Sequence, residues 1–273
     1  SWQGVAPLIP TYVETFDLTD AAGGIVLSLA SVGILVTSLP AGYITKHLPA
    51  RRLTIAAMAV IALSDLMMIV APSYPLIVLA RLVFGVGFGT LWVSMAAWLD
   101  DAAGDDSPRV LATTTAVVGV GALLGPAYTG AVAERFGLNA PFIGLAVVTL
   151  ALLVLLLADR SGTGMRKDPA PPVRELFSAV GRDWDLSTML LLTVAASMVW
   201  LTADLLVPLR MGRADWNAAQ IGIVFSLSSL IFVASSALTA RRADRLTKHS
   251  VVAIVDGQFT LKRLDLEAVR RAR

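Results

Sequence analysis

The chain has 273 residues, 56% of them hydrophobic and only 15% charged, with a net charge of +2 and no cysteine. Its mean hydropathy is +0.73. This composition lies outside soluble globular usage, and apolar runs of about twenty residues recur along the chain, so it reads as an all-α polytopic membrane protein. Disulfides and thiolate metal centres are excluded, and no residue pattern points to a metal or a cofactor. The basic residues fall in short loops beside helix ends, which speaks against nucleic-acid binding.

Trp2 to Pro10 reads as the last third of a first helix. The expectation is that about a dozen of its residues precede the chain, since Ser1 is not an initiator and no signal peptide is visible. Seven complete spans follow, at about 23–42, 53–71, 76–98, 110–132, 140–158, 187–208 and 220–240. Lys and Arg concentrate in one set of loops: Lys46, Arg51 and Arg52, then Arg109, then Arg160 to Arg182, then Arg241 to Lys248. The opposite loops carry only Arg135, Arg210 and Arg213, so the first set is expected to be cytoplasmic.

An internal repeat organises the whole chain. GIVLSLASVGILVTSLPAG from Gly24 returns as GIVFSLSSLIFVASSALTA from Gly222, 198 residues on. In the same register Trp2 meets Trp200, Pro10 meets Pro208 and Asp17 meets Asp215. A pair of membrane helices is therefore used twice. The expected organisation is a six-helix bundle at 1–158, a cytoplasmic linker at 159–186, two helices of a second bundle at 187–249 and a non-membrane tail at 250–273. The tail holds two short β-like runs around Asp256-Gly257, the pattern of a hairpin.

Three local motifs stand out. The loop GYITKHLPARRL contains Gly42, Lys46, Arg51 and Arg52; helix 4 carries Arg81, Gly85 and Gly89 four apart, in one stripe; helix 5 carries GALLGPAYTG with Gly121, Gly125, Pro126 and Gly130. Together with Pro7 and Pro10 in helix 1, these resemble the major facilitator superfamily, especially its proton-coupled drug-antiporter branch. The resemblance covers residues 1 to about 249 and implies two six-helix halves related by an axis along the membrane normal. In the family, an Asp of the first motif contributes to a latch between the halves, and Lys46 stands in its place here. Pro49 replaces a glycine of that motif, and Thr129 replaces a glycine of the helix 5 signature. The tail VVAIVDGQFTLKRL resembles the hairpin of LexA and UmuD-type self-cleaving peptidases, with Lys262 at the general-base position. No Gly-x-Ser-Met nucleophile accompanies it, so no peptidase activity, and no enzyme, is expected.

Ionisable residues inside spans are costly, about 2.5 to 3.5 kcal/mol each on insertion scales, and are therefore candidates for function. Arg81 and Asp65 both lie five or six residues, ~7 to 9 Å, from the outer surface. The expectation is a buried ion pair between them, with Asp65 the group that takes up a proton. Asp204 in helix 7 is a second candidate for cation binding or protonation. Trp92, Trp98, Trp200, Met67 and Met68 are candidate lining residues for apolar cations, or packing residues. The function expected is proton-driven export of small amphipathic molecules by alternating access, in the cytoplasmic membrane, with the proton gradient as energy source and no cofactor. These residues alone, one bundle and two helices of another, are expected to transport inefficiently. The partners are then the lipid bilayer and a small-molecule substrate. The alternative is a non-transporting scaffold that associates with other transporter chains.

Overall fold

A computed structural model describes residues 3–45, 47–71, 73–103, 107–158, 183–246, 250–255 and 258–263. A 3-10 segment, Gln3–Leu8, runs into α1 (Ile9–Thr15); then come α2 (Asp20–Ile44), α3 (Ala50–Ile69), α4 (Tyr74–Ala103), α5 (Ser107–Phe136), α6 (Ala140–Ala158), α7 (Trp184–Gly212) and α8 (Ala218–Leu246). Among the described residues, six helices are long and apolar enough to cross a membrane. Six of the seven expected spans fall on these helices, and the seventh, at about 220–240, falls in α8, whose apolar stretch Ala218–Ile231 is shorter. Lys46 and the 159–182 part of the linker lie outside the described residues, as do the side chain of Arg109 and the Asp256-Gly257 turn.

The 198-residue repeat is written into the helix ends atom by atom. Asp17 and Asp215 both adopt left-handed backbone angles, φ 48° and φ 61°, just past the ends of α1 and α7. Asp is one of the few residues that visit this region readily, and there it lets the chain fold back over the last helical turn. In one copy Leu18 N donates to Val13 O at 2.9 Å, and in the other Trp216 N donates to Met211 O at 3.1 Å. The next helices are capped at matching positions as well. Thr19 Oγ1 accepts from Ala22 N, and Asn217 Oδ1 accepts from Gln220 N. Gln220 also reaches back to Asn217 N at 3.0 Å, completing a reciprocal cap that the Thr19 copy lacks.

Cα packing divides the chain into two compact units, Ser1–Ser226 and Leu227–Arg273. In the first, α4 is the central helix and packs against both α2 and α3. Its glycines explain how it can serve two neighbours. A Cβ at Gly85 would be driven into the Ala30 carbonyl of α2, and one at Gly89 would sit 2.6 Å from Thr37 Oγ1. Gly87, half a turn around, faces α3 instead, where a Cβ would meet Ile61 at 2.8 Å. Lipid gives no hydrophobic drive to pair helices, so close backbone approach at such small residues supplies the contact. Around this crossing, Val5, Leu8, Ile9 and Tyr12 of the first helix are buried with Val26, Ile77, Ala80 and Phe142. The outward faces of α6 and α7 carry exposed apolar residues, for instance Val147, Val154, Leu191 and Val199.

The Gly-Pro step of α5 meets the start of α8. A Cβ on Gly130 would strike the Ala218 carbonyl, and one on Gly222 would strike the Pro126 carbonyl. Ser226 Oγ accepts a hydrogen bond from Ala127 N at 3.0 Å. Proline disturbs the ladder of a membrane helix, and a serine from the neighbouring helix can satisfy backbone groups there. Replacing Ser226 by Ala is expected to cost about 0.6 to 1.7 kcal/mol, the range for interhelical hydrogen bonds in membranes. Unfolding of the purified chain in detergent checks this, with Ser226→Thr as the variant that keeps the acceptor.

In the second unit the described tail is an antiparallel hairpin of β1 (Ser250–Val255) and β2 (Gln258–Arg263), in which Val251 pairs with Lys262.

Candidate functional site

Asp65 on α3 and Arg81 on α4 are both buried, at 6% and 3% exposure. The structure brings them into one region without making them a contact pair. Among the described residues the ion pair formed within 4.0 Å is Arg213 with Asp20, on the exposed surface. The reason lies in helix geometry. Arg81 shares its stripe with Gly85 and Gly89, and that stripe faces α2. Accordingly Arg81 Nε donates to the Val26 carbonyl of α2 at 3.3 Å, and its guanidinium lies 4.9 Å from the centre of the Phe84 ring. On α3 it is Ser64 that turns to α4, donating to Ala80 O at 2.9 Å. Asp65 is one residue further, about 100° around the helix, and so faces α6. There Thr149 Oγ1 donates to Asp65 Oδ2 at 3.0 Å.

Thr149 is a residue that sequence reading misses. A threonine in the apolar run of α6 carries no signal of its own, and only the α3 to α6 packing gives it a role. Tyr12 is a second such residue. Its hydroxyl is buried with no hydrogen-bond partner among the described residues, and it lies near enough to Arg81 for the two to interact electrostatically. Asp65 and Arg81 also interact at a distance. The arrangement is therefore a buried polar group drawn from α1, α3, α4 and α6, holding one acid and one base inside an apolar bundle.

Asp204 is buried on α7 at 7% exposure, away from any cation within 4.0 Å among the described residues. The Trp200 side chain, one turn earlier, donates to it. Of the remaining candidate lining residues, Met68 is in the main core and Met67 packs against it, whereas Trp92 stacks on Phe88 and is exposed.

The motif positions divide by role. Gly85, Gly89 and Gly130 are sites of backbone contact, but a Cβ at Gly121 would meet nothing within 4 Å among the described residues. Gly42 has only ordinary contact, 3.9 Å from Val93. Gly125 O and Pro126 O both accept from Thr129 Oγ1, at 3.0 and 3.2 Å, so the threonine in place of a glycine bonds back to the Gly-Pro step. Arg51 donates through Nη2 to the Leu156 carbonyl, tying the start of α3 to the end of α6, and Arg52 is exposed.

Known proteins share this architecture. The chain is 27% identical over 221 residues to the 3-(3-hydroxy-phenyl)propionate transporter of Escherichia coli (strain K12), covering 78% of this chain and 54% of that protein. It is 23% identical over 259 residues to the MFS-type transporter SLC18B1 of Mus musculus, covering 89% of this chain and 54% of that protein. The chain thus spans about half the length of the curated relatives it matches. Among solved structures, a mutant of the peptide transporter POT in complex with alafosfalin superposes with TM-score 0.54 at 16% identity, over 74% of this chain and 43% of that one. A bacterial homologue of the human drug peptide transporters PepT1 and PepT2 gives TM-score 0.53 at 14% identity, over 90% and 53%. The family model described as Major Facilitator Superfamily matches residues 1–259, ten residues beyond the end of the resemblance read from the motifs, so the polytopic bundle with its repeated helix pair belongs to the Major Facilitator Superfamily.

Proposed function

We propose that this chain contributes to a secondary transporter of the cytoplasmic membrane, exporting small amphipathic molecules in exchange for protons by alternating access. The observation that carries the reading is the buried carboxylate of Asp65, held by Thr149 within electrostatic reach of Arg81. A carboxylate and a guanidinium inside a span are expensive and serve ion or substrate pathways by default. The Gly-Pro step of α5, packed on the repeat's second copy at Gly222 and Ser226, supports the antiporter branch. The names of the curated relatives, both transporters, agree with movement of small molecules.

The test is made in proteoliposomes. With an imposed pH gradient and an amphipathic substrate, Asp65→Asn is expected to slow substrate-dependent proton movement at least tenfold while leaving substrate exchange intact. Proton movement at the native rate in that variant would remove Asp65 from the coupling step.

A further inference from the structure

We propose that the outer end of α7 is a gate closed against the first bundle and fastened by a salt-sensitive latch, the ion pair of Arg213 with Asp20. The latch rests on the transport reading above for its purpose, and names the contact that must part each time the seam opens outward.

The contacts of α7 with the first bundle gather at one end. Residues 189–203 are exposed without exception, and burial begins at Asp204. From there the layers follow outward. A Cβ at Gly24 of α2 would lie 3.1 Å from Leu205, and Leu209 is buried in the main core with Val5, Leu8 and Ile9. A Cβ at Gly212 would lie 2.6 Å from Pro10 Cβ, so α1 and α7 touch there with no room for a side chain. Ala6 of the first copy is buried with Ile221 and Phe225 of the second, and Met211 packs against them. Outermost is the Arg213–Asp20 pair, with side chains 61% and 47% exposed. The basic-residue bias of the loops places this end outside the membrane.

The pair has the properties a reversible latch needs. Asp20 is the first residue of α2, and Arg213 follows the last turn of α7, its N–H donating to Leu209 O at 3.1 Å. Each charge therefore has the sign that its own helix end favours. When the two part, water and those helix ends receive them, whereas breaking a buried pair strands an ion. An exposed pair is weak, so it biases the closed form without locking it. It is also open to screening by dissolved salt, which makes the outer solution a regulator of the gate. Duplication alone does not produce it. The repeat matches Asp20 with Ala218 and Arg213 with Thr15, so one charge comes from each copy and the reverse pairing has no charges to use.

The chain has no cysteine, so a single introduced thiol reports on the seam. Ala6→Cys places one where the two copies meet, and its alkylation by a charged maleimide, with the full chain in lipid nanodiscs, measures how often the seam opens. Asp20→Asn and Arg213→Gln are each expected to raise that rate about two- to fivefold, the range for an exposed pair. The two together should raise it no further than either alone, because they remove one interaction. Asp20→Lys, which sets like charges face to face, should raise it more than Asp20→Asn. Raising salt from about 0.02 M to about 1 M should speed the native chain and leave Arg213→Gln nearly unchanged. A thiol at Ala146, buried on α6, should keep its rate throughout, which separates opening of the seam from general loosening. Native rates at Ala6→Cys in both single variants would overturn the inference, as would additive effects of the two or equal acceleration at Ala146→Cys. The readout needs no substrate and no proton movement, so its failure leaves coupling through Asp65 standing. A proteoliposome result against Asp65 likewise leaves the latch to stand on the thiol rates.

Discussion

Gly85→Leu is expected to destabilise the folded bundle severely, whereas Gly121→Ala is expected to leave it intact or slightly more stable. Both are glycines of family motifs on long membrane helices, and sequence alone treats them alike. The structure separates them by what a side chain would meet. At Gly85 even one carbon is driven into the Ala30 carbonyl, where α2 and α4 cross, and Gly33 presents the reciprocal contact at 2.7 Å from Leu82 O. Neither neighbour is a side-chain tip that can rotate away, so the helices themselves must separate. Overpacking of this kind typically costs 1 to 3 kcal/mol and occasionally more, and a leucine at a backbone crossing belongs at or beyond about 3 kcal/mol. A domain's whole stability is only about 5 to 15 kcal/mol. At Gly121 nothing among the described residues lies within 4 Å of an added Cβ, so alanine adds no clash with them and removes glycine's helical penalty of roughly 1 kcal/mol. Monodisperse yield and the thermal unfolding midpoint in detergent measure both. An unchanged midpoint for Gly85→Leu would mean that α2 and α4 do not cross at Gly85.

The paired replacement Asp65→Asn with Arg81→Met is expected to leave stability equal or improved while stopping transport. Arg81 and Asp65 are buried without a direct ion pair, so each carries its desolvation cost with only hydrogen bonds and distant attraction in return. Neutralising buried opposite charges together is often neutral, or stabilising by about 1 to 4 kcal/mol, because the cost of removing ions from water disappears. The amide that replaces the Asp65 carboxylate can still accept from Thr149, and the thioether chain that replaces the Arg81 side chain can still fill the space against Phe84. If the two charges serve the fold alone, unfolding should tell against the double variant. If they serve coupling, substrate-dependent proton movement in proteoliposomes should fall at least tenfold while the unfolding midpoint holds or rises. A double variant that is less stable yet still transports at the native rate would overturn both halves of this account.

The stripe of Arg81, Gly85 and Gly89 is legible in the sequence because a four-residue spacing puts side chains on one helix face whatever that helix meets. Its partner is not legible. Equal depth suggests pairing Arg81 with Asp65, but depth is a coordinate along the membrane normal that leaves the rotation of each helix free. Rotation sets the outcome: Arg81 turns to Val26 and Asp65 turns to Thr149. Tyr12 and Thr149 stay hidden for the same reason, as one polar atom in an apolar run points nowhere until its neighbour is known. The reciprocal cap at Asn217 and Gln220 is also hidden, although the repeat that places it is visible.

Along its own axis the chain already specifies the order of its apolar helices and the duplication that relates two of them, because hydrophobic runs and self-similarity are properties of a single strand of residues. Packing in three dimensions was needed to settle which glycines are contacts, which helix Arg81 addresses and which hydroxyl holds Asp65. Those depend on the relative rotation of packed helices, set by the fit of α4 between α2 and α3 and not by any local run of residues.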